Sequence, residues 1–285
     1  MYVLDNPVQH YDWGSPTAIP HFLGVPNPEG KPWAELWMGT HPKGASIARD
    51  VRNPARVVPL ADVLGMDGAD ESGLPFLFKI LAAAKPLSIQ AHPSRAQAQE
   101  GYRREEAAGI AWDDRTRSYR DSNHKPELIC ALTEFHAMKG FRPWPEILEV
   151  FRDPLFADLS TLVEKSSDLP ETEALRNLIR GLFELDAHAR SAVLQAAKKR
   201  ADTELALNRA LPEPRFVWLQ RLLREYPDDI GAVAPLYLNV ITLQPGEALF
   251  LESGVLHAYL EGTGIELMAN SDNVLRGGLT SKHID

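Results

Sequence analysis

The sequence predicts a mainly β protein interrupted by an α-helical insertion. Three observations carry that prediction: a Pro- and Gly-rich first half built of short apolar runs, a middle block in which apolar residues recur at helical spacing, and a late return to strand composition. Short runs bounded by turn residues read as strands, whereas apolar residues three and four apart line one face of a helix. The strands come from two separated stretches. Residues 1–143 are therefore expected to form the first part of a β-barrel, 144–228 the helical insertion and 229–285 the second part of the barrel.

In the first part, Leu74-Pro75-Phe76-Leu77-Phe78-Lys79-Ile80-Leu81 is an apolar run of strand length. Pro86 to Pro93 reads as an extended strand, where alternation puts Ser88, Gln90 and His92 on one face. The Ala/Arg/Glu-rich segment near Ser94 to Glu106 has helical character. The polar stretch Asn123-His124-Lys125-Pro126-Glu127 enters the apolar run Leu128 to Leu132, so Glu127 begins another strand.

From Trp144 onward the period changes. Ile147, Leu148, Val150 and Phe151, then Leu175, Leu178, Ile179, Leu182 and Phe183, then Phe216, Leu219, Leu222 and Leu223 recur at helical spacing. Pro145 suits a first helical turn, while Pro227-Asp228-Asp229 and Pro235 mark the exit. Leu236 to Leu243 returns to β-branched and aromatic composition, and Gln244 to Leu256 reads as turn, strand, turn, strand, ending at His257.

A chain of 285 residues with 44% hydrophobic content can bury a sizeable core without disulfides. Its single cysteine, Cys130, sits in an apolar run as a small hydrophobe. A net charge of -9 argues against a general nucleic-acid binder, which needs a broad basic surface, and leaves room for a local basic pocket. The segment Met1 to Pro7 has neither a basic nor an apolar leader region, and no apolar stretch approaches membrane-spanning length. The expected location is the cytoplasm, with no membrane partner.

Four residues in Gly/Pro-marked contexts, Gln90, His92, Glu127 and His257, are candidate metal ligands. Gln90 and His92, two apart on a strand, can share one ion, and the wide spacing of the set fits a pocket assembled by a barrel rather than a local zinc-finger cluster. Two imidazoles and a carboxylate suit Zn²⁺ or a similar divalent ion, and an amide oxygen from Gln90 completes a set that leaves room for water or substrate.

The segments Ala34 to Pro42, Pro86 to Pro93, His124 to Glu127, His257 to Leu260 and Ser271 to Thr280 occur in an order that closely resembles the type I phosphomannose isomerase family, over about Trp13 to Lys282. The resemblance implies that Gln90, His92, Glu127 and His257 bind one zinc per chain and that Arg276 is catalytic. It implies an aldose-ketose isomerase that interconverts mannose 6-phosphate and fructose 6-phosphate through a cis-enediol, in mannose metabolism. The implied architecture is a cupin-type jelly-roll barrel with a metal in its mouth. Gly246, Glu252, Gly254 and His257 resemble the second cupin motif, with Glu252 in place of the usual Pro. Ser281 stands where the family usually has Pro, which alters a turn more than the chemistry. Family members usually continue into a further β-rich domain; if such a domain covers a hydrophobic face, this chain alone is expected to be less stable or to pair with another copy, as a monomer or homodimer.

The isomerisation moves a proton between C2 and C1. Glu266, in an apolar strand where desolvation raises a carboxyl pKa, Asp272, Lys125 and His124 are the candidates for proton transfer or for orienting a metal ligand. Arg276 stabilises the enediolate or holds phosphate. Trp13 and Tyr259 are expected to wall the pocket, Glu35 to bind sugar hydroxyls, and Ser88 with Lys282 to complete a phosphate site. Lys79 has a structural role, and His41 is a loop or core histidine rather than a fifth ligand. An iron or manganese cupin oxygenase or epimerase, and a non-catalytic sugar-phosphate binder, are the alternatives, and metal content separates them.

Overall fold

The computed structural model describes residues 1–66, 74–208 and 210–284. Its spine is the 13-residue strand His257–Ala269. The first residues of that strand pair with Gln90–Ala91 on one edge and Phe135–Phe141 on the other, and its later residues pair with Phe76–Ala83 and Glu127–Ala131. Two chain segments therefore run antiparallel along both its edges. The change of partners falls at Gly262, whose φ of 130° is open to glycine and whose Cβ, if present, would lie 2.7 Å from the Glu134 carbonyl oxygen. The register slips at the same place, between Tyr259 and Glu261.

Outer strands extend this sheet. Glu35–Met38 and then Val8–Gln9 add beyond Phe76–Ala83, Leu238–Leu243 adds beyond Phe135–Phe141, Ala248–Leu251 pairs with Glu127–Ala131, and Leu275–Arg276 pairs with Gln90–Ala91. Tyr2–Asp5, Ile47–Asp50 and Val57–Pro59 form a separate small sheet. Among the described strands, no ring of pairings closes the large sheet into a barrel. Alternation along Phe76–Ala83 turns Leu77, Lys79 and Leu81 inward, and Leu81 packs into a core that includes Ile129, Ala131, Phe135, Leu251 and Tyr259.

The helices Trp144–Phe151, Ser160–Ser167, Glu171–Phe183, Ala187–Leu207 and Pro214–Glu225 lie between two strands that pair with each other, Phe135–Phe141 and Leu238–Leu243, so the helical block leaves and rejoins the sheet at one place. Its apolar residues Ile147, Leu178, Leu182, Leu219 and Leu222 form one cluster with Met138, Leu238, Ala258 and Leu260 of the sheet. With these helices and Arg95–Ala107, helix occupies more of the chain than a mainly β reading implies. Among the described residues, no helix is long and apolar enough to cross a membrane.

Most expected elements are present. Arg95–Ala107 is capped by Ser94, whose hydroxyl accepts from the Gln97 N–H while the Gln97 side chain accepts from the Ser94 N–H. Glu127 begins its strand, and the expected turn, strand and turn precede His257, although the second strand starts at His257 itself and not before it. The strand expected over Pro86 to Pro93 shrinks to Gln90–Ala91. The reason is that Leu87 N–H donates to Tyr259 O and Ile89 N–H to Gly278 O, two different segments, so no continuous ladder forms there. The first residues of the run from Leu74 precede the strand, which starts at Phe76.

Candidate metal centre

Register assembles the site. Gln90 is paired with His257 on one side and with Arg276 on the other, and directly opposed residues of antiparallel strands share a face. The three side chains therefore project the same way. His92 follows two residues after Gln90, and Glu127 is delivered at the start of its own strand.

His92 Nε2 lies 3.2 Å from Glu127 Oε1, and His257 Nε2 lies 3.4 Å from Glu127 Oε2. One ligating atom from each of the three residues falls within 4.8 Å of the others, and all three residues are buried. The far side of each ring fixes its tautomer. His92 Nδ1 is 2.9 Å from the Asn273 carbonyl oxygen and His257 Nδ1 is 2.9 Å from the Val255 carbonyl oxygen. A carbonyl only accepts, so each Nδ1 carries a proton and each Nε2 is the ring atom left facing Glu127. His92 Nε2 is buried without a hydrogen-bond partner. Burial pushes the His92 imidazole down to about 4, against the opposing pull of Glu127 beside it.

Burial opposes ionisation of Glu127, yet His92 and Lys125 beside it hold its carboxyl well below the usual carboxylate range, and Lys125 Nζ sits 3.1 Å from Oε1. Two imidazole nitrogens and a carboxylate that converge on one point make a donor set that a divalent cation can share. The donor set fits zinc. The Gln90 side-chain N–H donates to Ser88 Oγ at 3.1 Å, which leaves its amide oxygen as the free acceptor.

These residues open into a cleft of about 1660 Å³. It gathers Trp13, Glu35, Ser88, Gln90, Lys125, Glu127, His257, Tyr259, Glu266, Arg276 and Lys282 on one lining, with His92 behind Glu127. Asp272 is not on that lining; its carboxylate is held by Lys43 Nζ at 2.6 Å and lies 3.9 Å from His41 Nε2. His41 is buried edge-on against Trp37, as a core histidine. Lys79 also lines the cleft, with Nζ 2.9 Å from Glu35 Oε1 and 2.6 Å from Glu266 Oε2. Burial raises the Glu266 carboxyl against the pull of Lys79. Among the described residues no carboxylate lies within ion-pair distance of Arg276, and burial lowers its guanidinium pKa, with Arg120 adding to the effect. Burial and the Arg276 charge likewise lower Lys282.

Sequence reasoning leaves the helical block out of the site, yet Arg176 and Arg180 of Glu171–Phe183 reach the cleft lining. Their four-residue spacing is visible in the sequence, but the direction it faces is not. Sequence reasoning also misses the carbonyl of Asn273, because a backbone acceptor carries no side-chain signature.

A buried His-Glu-His set at the floor of a cation-bearing cleft, on a curved sheet, defines a divalent-metal protein with access for a small anionic ligand. The family model for the catalytic domain of type I phosphomannose isomerase matches residues 1–144. Mannose-6-phosphate isomerase of Escherichia coli (strain K12) is 43% identical across 100% of this chain and 72% of its own length. The Homo sapiens protein of that name is 35% identical across 100% of this chain and 71% of its own. A crystal structure of zinc-bound mannose 6-phosphate isomerase superposes with a TM-score of 0.87 at 39% identity, covering 100% of this chain and 72% of that one. The Salmonella typhimurium enzyme bound to substrate and zinc superposes with a TM-score of 0.86 at 41% identity, with the same coverage. This chain belongs to the type I phosphomannose isomerase family.

Proposed function

We propose that this chain is a zinc-dependent aldose-ketose isomerase that interconverts mannose 6-phosphate and fructose 6-phosphate through a cis-enediol. The observation that carries the reading is the buried cluster of His92, Glu127 and His257, two of whose members, Glu127 and His257, line the cleft together with Arg276. Relatives named for this activity, one of them bound to substrate and zinc, support it. The curved sheet around the site supports a cupin-type jelly roll, and the enzyme works in the cytoplasm as a monomer or homodimer on a small sugar phosphate.

Gln90, His92, Glu127 and His257 would hold the zinc, which when bound supplies Lewis-acid stabilisation of negative charge on the sugar oxygens. Arg276, permanently charged and in register with Gln90, stabilises the enediolate from the same face. Glu266, desolvated and held in place by Lys79, exchanges the proton between C1 and C2. Lys125, fixed against Glu127, serves the proton balance at O1 and O2. Trp13 and Tyr259 wall the open-chain sugar, Glu35 accepts from its hydroxyls, and Ser88 with Lys282 receives the phosphate.

The test is a coupled assay of the purified chain with mannose 6-phosphate, following fructose 6-phosphate before chelation, after chelation and after zinc is restored. Turnover that disappears with chelation and returns with zinc is expected. No turnover from folded, zinc-loaded protein overturns the reading.

A further inference from the structure

Asn273 is 0% exposed, and its side chain is fully engaged without touching the cleft. Its Oδ1 accepts from the N–H of Arg120 at 2.6 Å and of Asp121 at 3.1 Å. Its Nδ2 donates to the carbonyl oxygens of Asp121 at 2.8 Å and Asn123 at 2.9 Å, and to Asp121 Oδ1 at 3.2 Å. The surrounding segment is bound to the same turn: Ser271 Oγ donates to the Asp121 carboxylate at 2.9 and 3.0 Å, and the Asp272 N–H donates to Asp121 Oδ2 at 3.0 Å. One amide thus joins two pieces of chain distant in sequence.

Both pieces lead to the metal centre. The turn at 120–123 runs into Lys125 and Glu127, and the segment from Ser271 runs into Leu275–Arg276, which pairs with Ala91 and Gln90. The backbone oxygen of Asn273 is the acceptor for His92 Nδ1–H. A shift of this residue would therefore move the carbonyl that orients His92, the approach of Glu127 and the register of Arg276 together.

We propose that the Asn273 side chain is the positioning residue of the site, locking the 120–123 turn to the Arg276 segment so that its own carbonyl sets the tautomer and ring angle of His92. A generic buried amide would stabilise the fold alone. This one holds the acceptor of a candidate ligand and the base of the strand that bears another in one hydrogen-bond network, so its loss would shift His92, Glu127 and Arg276 relative to one another. Partners that orient metal ligands typically contribute about 10–100-fold in metal affinity or activity.

The kinetic arm of the test rests on the isomerase reading; the metal arms do not. Zinc affinity is measured by competition with a chromophoric chelator, and the d–d spectrum is recorded on the cobalt-substituted protein, for Asn273→Ala, Asn273→Asp and Ser271→Ala. Asn273→Asp keeps the size and the acceptor but removes the donors facing Asp121 and Asn123. Leu178→Ala, in the helical core, controls for lost stability. The expected result is zinc binding weakened at least about tenfold and shifted cobalt bands in both Asn273 variants, a smaller change of the same sign in Ser271→Ala, and unchanged affinity and spectrum in Leu178→Ala. At saturating zinc, kcat should remain depressed in the Asn273 variants because Arg276 is displaced. Wild-type affinity and spectrum in the Asn273 variants overturn the proposal. If neither Asn273 variant folds, unchanged zinc affinity in Ser271→Ala overturns it. Wild-type protein that binds zinc tightly without turnover overturns the isomerase reading and leaves this one standing.

Discussion

Glu127 Oε2 and His257 Nε2 are 3.4 Å apart, although the backbone of Glu127 is paired with Met268, at the far end of the strand that His257 begins. A straight strand would separate His257 and Met268 by roughly 36 Å at about 3.3 Å per residue. The sheet must therefore curl back on itself to bring these two side chains together, and Gly262 lies where the strand changes partners.

Gly262→Ala should disturb the metal centre from a distance. The new Cβ would meet the Glu134 carbonyl oxygen in a backbone conformation that disfavours side chains, at a cost of about 1–3 kcal/mol. Denaturant unfolding should report that loss, and zinc affinity should fall with it. Unchanged affinity would show that the curvature does not depend on this residue.

His92→Ala and His257→Ala should lose zinc and activity together, as read by metal analysis of purified protein alongside the coupled assay. Each removes one Nε2 lone pair and leaves Glu127 with a single imidazole. Full metal retention in both variants would refute the ligand assignment.

Arg276→Ala should keep its zinc and lose turnover. Removing one preorganised charge from a transition state typically costs about 10²–10³ in kcat. A variant that lost zinc stoichiometry instead would make Arg276 a structural partner of Gln90.

Glu266→Gln and Asp272→Asn separate the proton-transfer candidates. Glu266 lies inside the cleft beside Lys79, whereas Asp272 is held outside its lining by Lys43. Loss of general-base function costs about 10²–10⁴ in rate, so Glu266→Gln should fall in that range and Asp272→Asn well short of it. The reverse order of kcat values would transfer the base role to Asp272.

Lys79→Met should destabilise the chain by about 3 kcal/mol, because it leaves Glu35 and Glu266 buried without their cation. Thermal unfolding measures it. A variant as stable as the wild type would mean that the two carboxylates share a proton rather than depend on Lys79.

The local elements are largely legible in the sequence. The run through Phe76 to Leu81, the Glu127 strand start, the helical spacing of Leu175 to Phe183 and the turns before His257 all depend on residues near one another in the chain. Pro86 to Pro93 reads as a longer strand than it forms, because its extension depends on which segments offer acceptors, and here Tyr259 and Gly278 offer one each. Lys79 reads as structural, and only its position between Glu35 and Glu266 shows that it also belongs to the cleft.

By itself, the sequence determined the periodicities, the turn residues and the chemical identities of the candidate ligands, since each is a property of one side chain or of a few neighbours. Tertiary structure alone decided that Gln90 stands between His257 and Arg276, that Asp272 turns to Lys43 instead of the cleft, and that Arg176 and Arg180 look into it. Register, curvature and facing arise from pairings between residues far apart in the chain, and the free energy that selects among those pairings belongs to the assembled core rather than to any one segment.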